Sequence, residues 1–232
     1  IYVVAKGNTS AGVPIQRRNI GENGIPITIS ILNKLLPITL LTAIALLPVN
    51  DEVIEICKKY SDCFLPLAKL DLWETADPAE VYHYAEKGVK GFKCIYPYYE
   101  YDHDIYMPVY EAAEKCGLPL LFHTGNYRPN PADIIYKRPM LKNMNPVNLD
   151  RIARSFQSLK IVMAHMGTRI YHDEASQYIK VHDNLYADLA GCGSWLGVSP
   201  EKLDSLLAPA PKVFYRSNIW AGYEKLIFGS DS

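Results

Sequence analysis

The sequence predicts an α/β fold, a (β/α)8 TIM barrel in which parallel strands alternate with helices. Apolar runs of strand length recur from residue 40 onward, with amphipathic stretches of helical length between them, a pattern typical of βαβ units. The runs are apolar throughout, as in strands covered on both faces. A doubly wound open sheet is the alternative, but it usually carries a Gly-rich phosphate loop, and this sequence has none.

Seven apolar runs are predicted to be the strands of this barrel. They cover residues 41–47, 63–70, 89–95, 118–122, 159–164, 185–189 and 225–228. A complete barrel has eight strands and typically about 250 residues. The chain starts without Met and ends directly after the last run. We therefore expect one domain over residues 1–232, a fragment whose barrel is incomplete at the N-terminal strand and at the C-terminal tail.

Capping residues mark several of the helices between these strands. Asp77 followed by Pro78 is a helix start, and Gly88 is the corresponding stop. Gly117 is predicted to follow the last residue of a second helix, and Ser199 to cap a third. The predicted helices cover residues 51–60, 78–87, 105–116, 149–157, 175–181 and 200–207.

The composition indicates a globular protein with a small-molecule partner. Lys and Arg number 24 against 25 Asp and Glu, so the formal net charge is −1. Nucleic-acid and membrane-surface binders usually carry a basic excess, which is absent here, so we expect neither kind of partner. The five cysteines are scattered and form no Cys-x-x-Cys pair, which favours a reduced, cytoplasmic setting over a disulfide framework. A homo-oligomer is compatible with this composition.

Polar side chains follow several predicted strands at the point where each strand ends. His123, His165 and Asp231 follow three different strands, each close to a glycine, and Lys93 lies near the end of the run at 89–95. In a barrel these strand ends converge on one face, where active sites form. Two imidazoles and a carboxylate there make a nitrogen–oxygen site for a divalent metal. Each residue alone would equally fit a turn-stabilising role, but three together favour a shared site.

Five segments occur in an order and spacing that characterise a known family. They are GVKGFK at 88–93, MPVYEAAEKCGLPLLFHTG at 107–125, LKIVMAHMG at 159–167, NLYADLAG at 184–191 and KLIFGSD at 225–231. The set resembles the amidohydrolase superfamily (amidohydrolase family 2), particularly the branch related to aminocarboxymuconate semialdehyde decarboxylase. The resemblance covers the chain from about residue 40 to the end, and it implies a TIM-barrel enzyme that depends on a metal.

The resemblance implies a role for each of the four polar residues. His123 resembles the metal-ligating histidine, and Asp231 resembles the carboxylate that contacts the metal or the water on it. His165 resembles the catalytic histidine that handles protons or polarises the substrate. Lys93 lies where some branches carry a carboxylated lysine between two metals. We do not expect that modification, because the branch resembled here uses one divalent ion, which we expect to be zinc.

One departure from the family pattern concerns the metal ligands of the first strand. The family places His-x-His there, where alternation along the strand directs both imidazoles to one face. Residues 1–4 are long enough for a strand but contain no histidine. We expect the motif to precede Ile1. The alternative is a barrel without strand-1 ligands that acts as a non-catalytic binding protein, and the encoded sequence upstream of Ile1 distinguishes the two.

The expected activity is metal-dependent hydrolysis of a C–N or C–O bond in a small molecule. A catalytic ion lowers the pKa of its bound water towards about 7. Asp231 would accept a proton as the water attacks an amide, ester or lactone carbonyl, and His165 would stabilise the oxyanion or protonate the leaving group. The same residues suit the alternative reaction, non-oxidative decarboxylation of an unsaturated or aromatic acid.

Four residues are predicted to contact the substrate: Lys93, Tyr96, Arg128 and Arg169. Tyr96 begins a tyrosine-rich segment after the third run, which forms either a pocket wall or a packing surface. The two arginines can bind a substrate carboxylate through paired hydrogen bonds, although surface arginines are common. His172 is expected to be a solvated or a packing residue, and Trp195 to serve hydrophobic packing, with pocket lining as the alternative.

Overall fold

The computed structural model describes residues 2–5, 50–61, 64–126, 140–191, 195, 198–209 and 222–227. Within them the strands form one sheet in which each strand lies beside its neighbour in sequence. The strands are β1 Tyr2–Ala5, β2 Phe64–Leu70, β3 Phe92–Cys94, β4 Leu120–His123, β5 Ile161–Ala164, β6 Leu185–Asp188 and β7 Leu226–Ile227. All neighbours from β2 to β7 are parallel. The predicted strand at 41–47 lies outside the described residues.

The helices alternate with the strands, as predicted. They are α1 Asn50–Lys59, α2 Pro78–Glu86, α3 Met107–Lys115, α4 Asn148–Ser155, α5 Thr168–Val181 and α6 Pro200–Leu207. A helical crossover between consecutive strands makes those strands parallel. Six parallel strands in sequence order with intervening helices confirm the barrel arrangement in the described part of the chain. None of the described helices has the length and apolar character needed to cross a membrane.

The predicted helix caps of α2 and α6 are confirmed by their hydrogen bonds. Asp77 accepts from the backbone N–H of Ala79 at 2.9 Å. Ser199 accepts from the backbone N–H of Lys202 at 3.2 Å. Gly88 has a φ of +90° directly after α2, a conformation that glycine adopts without a Cβ penalty.

One element prediction needs correction. The helix predicted at 175–181 begins at Thr168, because its buried face also includes Thr168 and His172, polar residues that hide the helical period in the sequence. The strand considered at residues 1–4 is β1, and it pairs antiparallel with β2. A parallel barrel has only parallel neighbours, so β1 does not supply the parallel first strand.

Alternation along the strands separates a helix-facing layer from the barrel interior. Four fully buried residues aligned across β3 to β6 pack in the main cluster with the helices: Phe92, Leu120, Ile161 and Leu185. The next residue in each strand lies on the opposite face: Lys93, Leu121, Val162 and Tyr186. Because side chains alternate with a period of two, His123 and Asp188 share this inner face.

Candidate active site

The structure brings His123 and His165 into contact. His123 is the last residue of β4, and His165 directly follows β5. The Nδ1 atom of His123 lies 3.1 Å from the Nε2 atom of His165. The ring centroids are 4.8 Å apart, with an interplanar angle of 67°. His123 is partly exposed, whereas His165 is only 4% exposed. Asp231 and Arg128 lie outside the described residues.

His165 is placed by a turn whose backbone is strained. The φ angles of His165, Met166, Gly167 and Thr168 are 66°, 40°, 76° and 52°. Left-handed backbone costs roughly 1–2 kcal/mol for a residue that carries a Cβ, and a β-branched residue such as Thr168 rarely adopts it. Such strain persists only where surrounding contacts enforce it, and it concentrates at functional sites.

Side-chain hydroxyls from the loop after β4 and from α5 hold this turn in place. Thr124 donates to the carbonyl of Ala164 at 2.6 Å and accepts from the N–H of Gly167 at 2.9 Å. The Thr168 hydroxyl accepts from the N–H of Asn126 at 2.8 Å. The loop after β4 and the turn after β5 are therefore bound directly to each other.

Gly125 allows the two loops to approach this closely. A Cβ on Gly125 would lie 2.2 Å from the carbonyl oxygen of Gly167, a distance that real atoms do not adopt. Gly167 itself lies against Tyr171 and Pro146. The glycine two positions after each histidine is therefore required by packing, which explains why both histidines lie close to a glycine in the sequence.

The end of β6 surrounds His165. A single carboxylate oxygen of Asp188, Oδ1, accepts from the backbone N–H of His165 at 2.8 Å and from that of Ala190 at 3.0 Å. The Nδ1 atom of His165 lies 2.9 Å from the Ala190 carbonyl oxygen. Asp188 is 3% exposed. Sequence reasoning missed Asp188, although an acidic residue at the end of an apolar strand was a usable signal.

Electrostatics favour the neutral form of His123. Burial is the main cause that holds its pKa well below the usual range, and electrostatic interactions with His165 and Lys93 lower it further. Lys93 is 1% exposed on the same inner face. A neutral imidazole retains the lone pair that a metal ligand or a general base requires.

Tyr101 was also missed by sequence reasoning. Its hydroxyl lies 2.9 Å from the carbonyl oxygen of His123 and 3.2 Å from that of Cys94, so it joins the ends of β3 and β4. Tyr101 is fully buried. Its position in a tyrosine-rich segment made it look like one of several equivalent aromatic residues.

The remaining predicted residues lie in different settings. Tyr96 has a φ of 58° and is partly exposed, with the Lys69 ammonium 5.8 Å from its ring centroid. Arg169 is an exposed residue of the first turn of α5. His172 is buried and stacks on Trp195 with ring centroids 3.7 Å apart, which agrees with the packing predicted for Trp195 and favours packing over solvation for His172.

The described part of the chain contains only some of the side chains that a metal site would need. His123 and His165 are borderline nitrogen donors that suit zinc, manganese and similar divalent ions. No group of three or more His, Cys, Asp or Glu residues that could hold an ion occurs among the described residues. A complete site therefore needs residues outside that part, of which Asp231 is the candidate named by the sequence.

Comparison with solved structures shows the same fold. An uncharacterized TIM-barrel protein from Bordetella bronchiseptica has a TM-score of 0.58 at 20% identity, over 78% of this chain and 58% of that chain. A 5-carboxyvanillate decarboxylase from Novosphingobium aromaticivorans, solved with bound manganese, gives 0.50 at 16% identity, over 78% and 59%. A probable 2-pyrone-4,6-dicarboxylic acid hydrolase from Acinetobacter baumannii, with citric acid bound, gives 0.50 at 14% identity, over 82% and 67%. At these identities the likeness shows the TIM-barrel fold alone.

The chain spans about three fifths of the length of the first two of these structures. No curated protein matches the chain by sequence. The profile of the family described as Amidohydrolase matches residues 47–232, which is most of the chain and includes both histidines and Asp231. The chain therefore belongs to the Amidohydrolase family.

Proposed function

We propose that this protein is a metal-dependent hydrolase that activates water to cleave a C–N or C–O bond, as in an amide, ester or lactone, of a small molecule. The observation that supports the proposal is the contact between His123 and His165 at the ends of two adjacent parallel strands. His123 is held neutral beside a second imidazole whose other nitrogen is already bound to backbone. This arrangement provides one nitrogen donor and one proton-transfer group at the active face of the barrel.

Three residues of the chain would have separate roles in this reaction. His123 and Asp231 would hold one divalent ion, which supplies Lewis acidity and a water of lowered pKa when bound. Asp231 would accept the proton of the attacking water. His165, fixed in orientation by the end of β6, would donate a hydrogen bond or a proton to the substrate oxygen or leaving group.

Substrate contacts are proposed for Lys93, Tyr96, Arg128 and Arg169. Lys93 is supported by its burial on the inner face and its electrostatic effect on His123. A buried ammonium at that point would stabilise an anionic group near the two imidazoles. Arg169 lies at the start of α5, close in sequence to the strained turn, and would meet a substrate carboxylate at the rim.

Decarboxylation of an unsaturated or aromatic acid is the second candidate. A decarboxylase with bound manganese shares the fold, and His165 would then deliver a proton to the carbanion-like carbon. A panel of lactones, amides and aromatic acids, assayed for hydrolysis and for released carbon dioxide, separates the two reactions. Hydrolysis without carbon dioxide supports the first candidate, and carbon dioxide release supports the second.

Metal analysis of the protein beside a His123→Ala variant tests the site. We expect a bound divalent ion, with elemental analysis distinguishing zinc from manganese, and a reduction in metal content of at least about tenfold in the variant. His83→Ala is the matched control, because His83 is an exposed residue of α2 and should leave metal content unchanged. Full metal content in His123→Ala would remove His123 from the site, and a metal-free, inactive protein would favour a binding role.

A further inference from the structure

His123 lies one residue beyond the end of the backbone pairing between β3 and β4. The last pair of that ladder joins Cys94 to Phe122. On the other side, His123 is still paired with Ala164 of β5. The Tyr101 hydroxyl continues the connection towards β3, because it lies 2.9 Å from the His123 carbonyl oxygen and 3.2 Å from that of Cys94. A side chain therefore takes the place of the next backbone bond at the residue that carries the site.

Contacts that do not involve His123 hold Tyr101 in place. Its backbone N–H donates to the Asn143 carbonyl at 3.3 Å, and its own carbonyl accepts from the Tyr110 hydroxyl at 2.9 Å. Its ring packs edge-on against Phe122, with ring centroids 4.9 Å apart. Because Tyr101 is also fully buried, its hydroxyl is a fixed point to which the end of β4 is attached.

The Tyr101 hydroxyl links the strand ends that carry two of the proposed site residues. A single hydroxyl hydrogen serves two carbonyl acceptors here, so it draws the ends of β3 and β4 together. Lys93 directly precedes Cys94 in β3, and its side chain shares the inner face of the sheet with that of His123. The separation of these two side chains at the active face therefore depends on the hydroxyl.

The contact between His123 and His165 depends on the same attachment. Nδ1 of His123 lies 3.1 Å from Nε2 of His165, and His165 is placed independently by the strained turn after β5. Functional groups in such sites must be held to within about 0.5 Å. Without the hydroxyl, the two carbonyl oxygens would lose this donor, and the end of β4 could move away from β3.

We propose that Tyr101 is a positioning residue of the active site, whose hydroxyl sets the place of the His123 imidazole relative to that of His165. Tyr101 acts through the backbone of His123, not through contact with a substrate. Residues that support a metal-binding histidine in this indirect way affect its metal affinity. The positional effect stands on the protein alone, whereas its consequence for a metal rests on the proposed hydrolase function.

Tyr101→Phe tests the positional effect, because it removes the hydroxyl and keeps the ring. In metal-free protein with carbon-13-labelled histidines, NMR should show a shifted Cε1–Hε1 signal for His123. The His165 ring, whose centroid lies 4.8 Å away, changes the magnetic field at His123 when the distance between the rings changes. His123→Gln identifies the signal by its disappearance.

Tyr106→Phe is the matched control. Tyr106 is also fully buried, and its hydroxyl also donates to two backbone carbonyls, those of Leu72 and Trp73, at 2.8 and 2.9 Å. These carbonyls belong to the segment after β2, so this variant should destabilise the protein without shifting the His123 signal. A shift that occurs in Tyr101→Phe alone separates positioning from a general loss of stability.

Titration with zinc chloride, and in parallel with manganese chloride, measures the consequence for the proposed metal site. We expect the dissociation constant to rise about tenfold in Tyr101→Phe and to stay unchanged in Tyr106→Phe. If Tyr101→Phe does not fold in buffer, all the proteins are compared in trimethylamine N-oxide, which favours the compact state.

Two results would overturn the proposal: an unchanged His123 signal in folded Tyr101→Phe, or an equal shift in Tyr106→Phe. A shifted signal with unchanged metal affinity would contradict the expected consequence for the metal. A shifted signal in a protein that binds neither ion as wild type would refute the proposed function alone.

Discussion

Single glycines decide whether the two histidine loops can approach each other. Gly125 and Gly167 each lie two residues after a histidine, and both have positive φ angles. Gly125 is the more demanding position, because backbone atoms of Gly167 and the Thr168 hydroxyl occupy the space of its missing Cβ. Contact between the imidazoles therefore depends on residues that have no functional group.

Gly125→Ala should destabilise the protein by roughly 2–4 kcal/mol. The Cβ would meet the Gly167 carbonyl oxygen at 2.2 Å, and the φ of +86° adds strain. Urea denaturation followed by circular dichroism measures the change. Gly117→Ala is the matched control, because its φ is +66° but nothing lies within 4 Å of its Cβ position, so only about 1 kcal/mol is expected. Equal losses in the two variants would show that contact with Gly167 is unimportant.

At the scale of elements, β4 and β5 are joined beyond their strand hydrogen bonds. The backbone bonds of a parallel pair end with the strands, yet the candidate site extends into the loops that follow them. Thr124 continues the connection by binding the last residue of β5 and the turn after it. The Tyr101 hydroxyl serves the same purpose between β3 and β4.

Thr124→Val should cost about 2–4 kcal/mol, because it leaves the Ala164 carbonyl and the Gly167 N–H buried without their partner. Thr124→Ser keeps the hydroxyl and loses one buried methyl group, so about 1 kcal/mol is expected. Thermal or urea unfolding of both variants gives the comparison. If valine proves no worse than serine, the bridging hydrogen bonds do not hold the turn after β5.

For the whole molecule, acid stability should depend on His172. Burial is the main cause that lowers its pKa to about 4, and the charges of Arg169 and Lys202 lower it further, opposed by Asp173. Its Nε2 atom has no hydrogen-bond partner within the described residues. The folded protein therefore prefers the neutral ring, which stacks on Trp195.

The sign of the effect follows from the lowered pKa. His172 binds a proton near pH 6.5 in the unfolded chain and only near pH 4 in the folded protein. The contribution of its neutral ring to the free energy of unfolding is therefore fully present above about pH 6.5 and is lost as the pH falls towards 4. Between pH 7 and pH 5, wild type should lose roughly 1–2 kcal/mol more than His172→Phe, which keeps the aromatic stack. Urea denaturation of both proteins at the two pH values measures the difference. Parallel losses would show that His172 is not buried in its neutral form.

The sequence predicted most of the architecture because local patterns were sufficient for it. Apolar runs located β2 to β7, and capping residues located the ends of α2 and α6. Local patterns failed to predict helical residues that are polar and are buried only because other segments cover them. Thr168 and His172 lie on the inner face of α5 because the strained turn and Trp195 cover them, and their polar character conceals this in the sequence.

The sequence also identified His123 and His165 as residues at strand ends, where a parallel barrel places its chemistry. What it determined by itself was therefore the fold class and the positions of two histidines at strand ends, which it predicts to bind a metal or move a proton. The tertiary structure decided which nitrogen faces which neighbour, how Asp188 binds the backbone of His165, and why Gly125 is required. These features depend on contacts between segments far apart along the chain, and such contacts leave no periodic pattern in either segment.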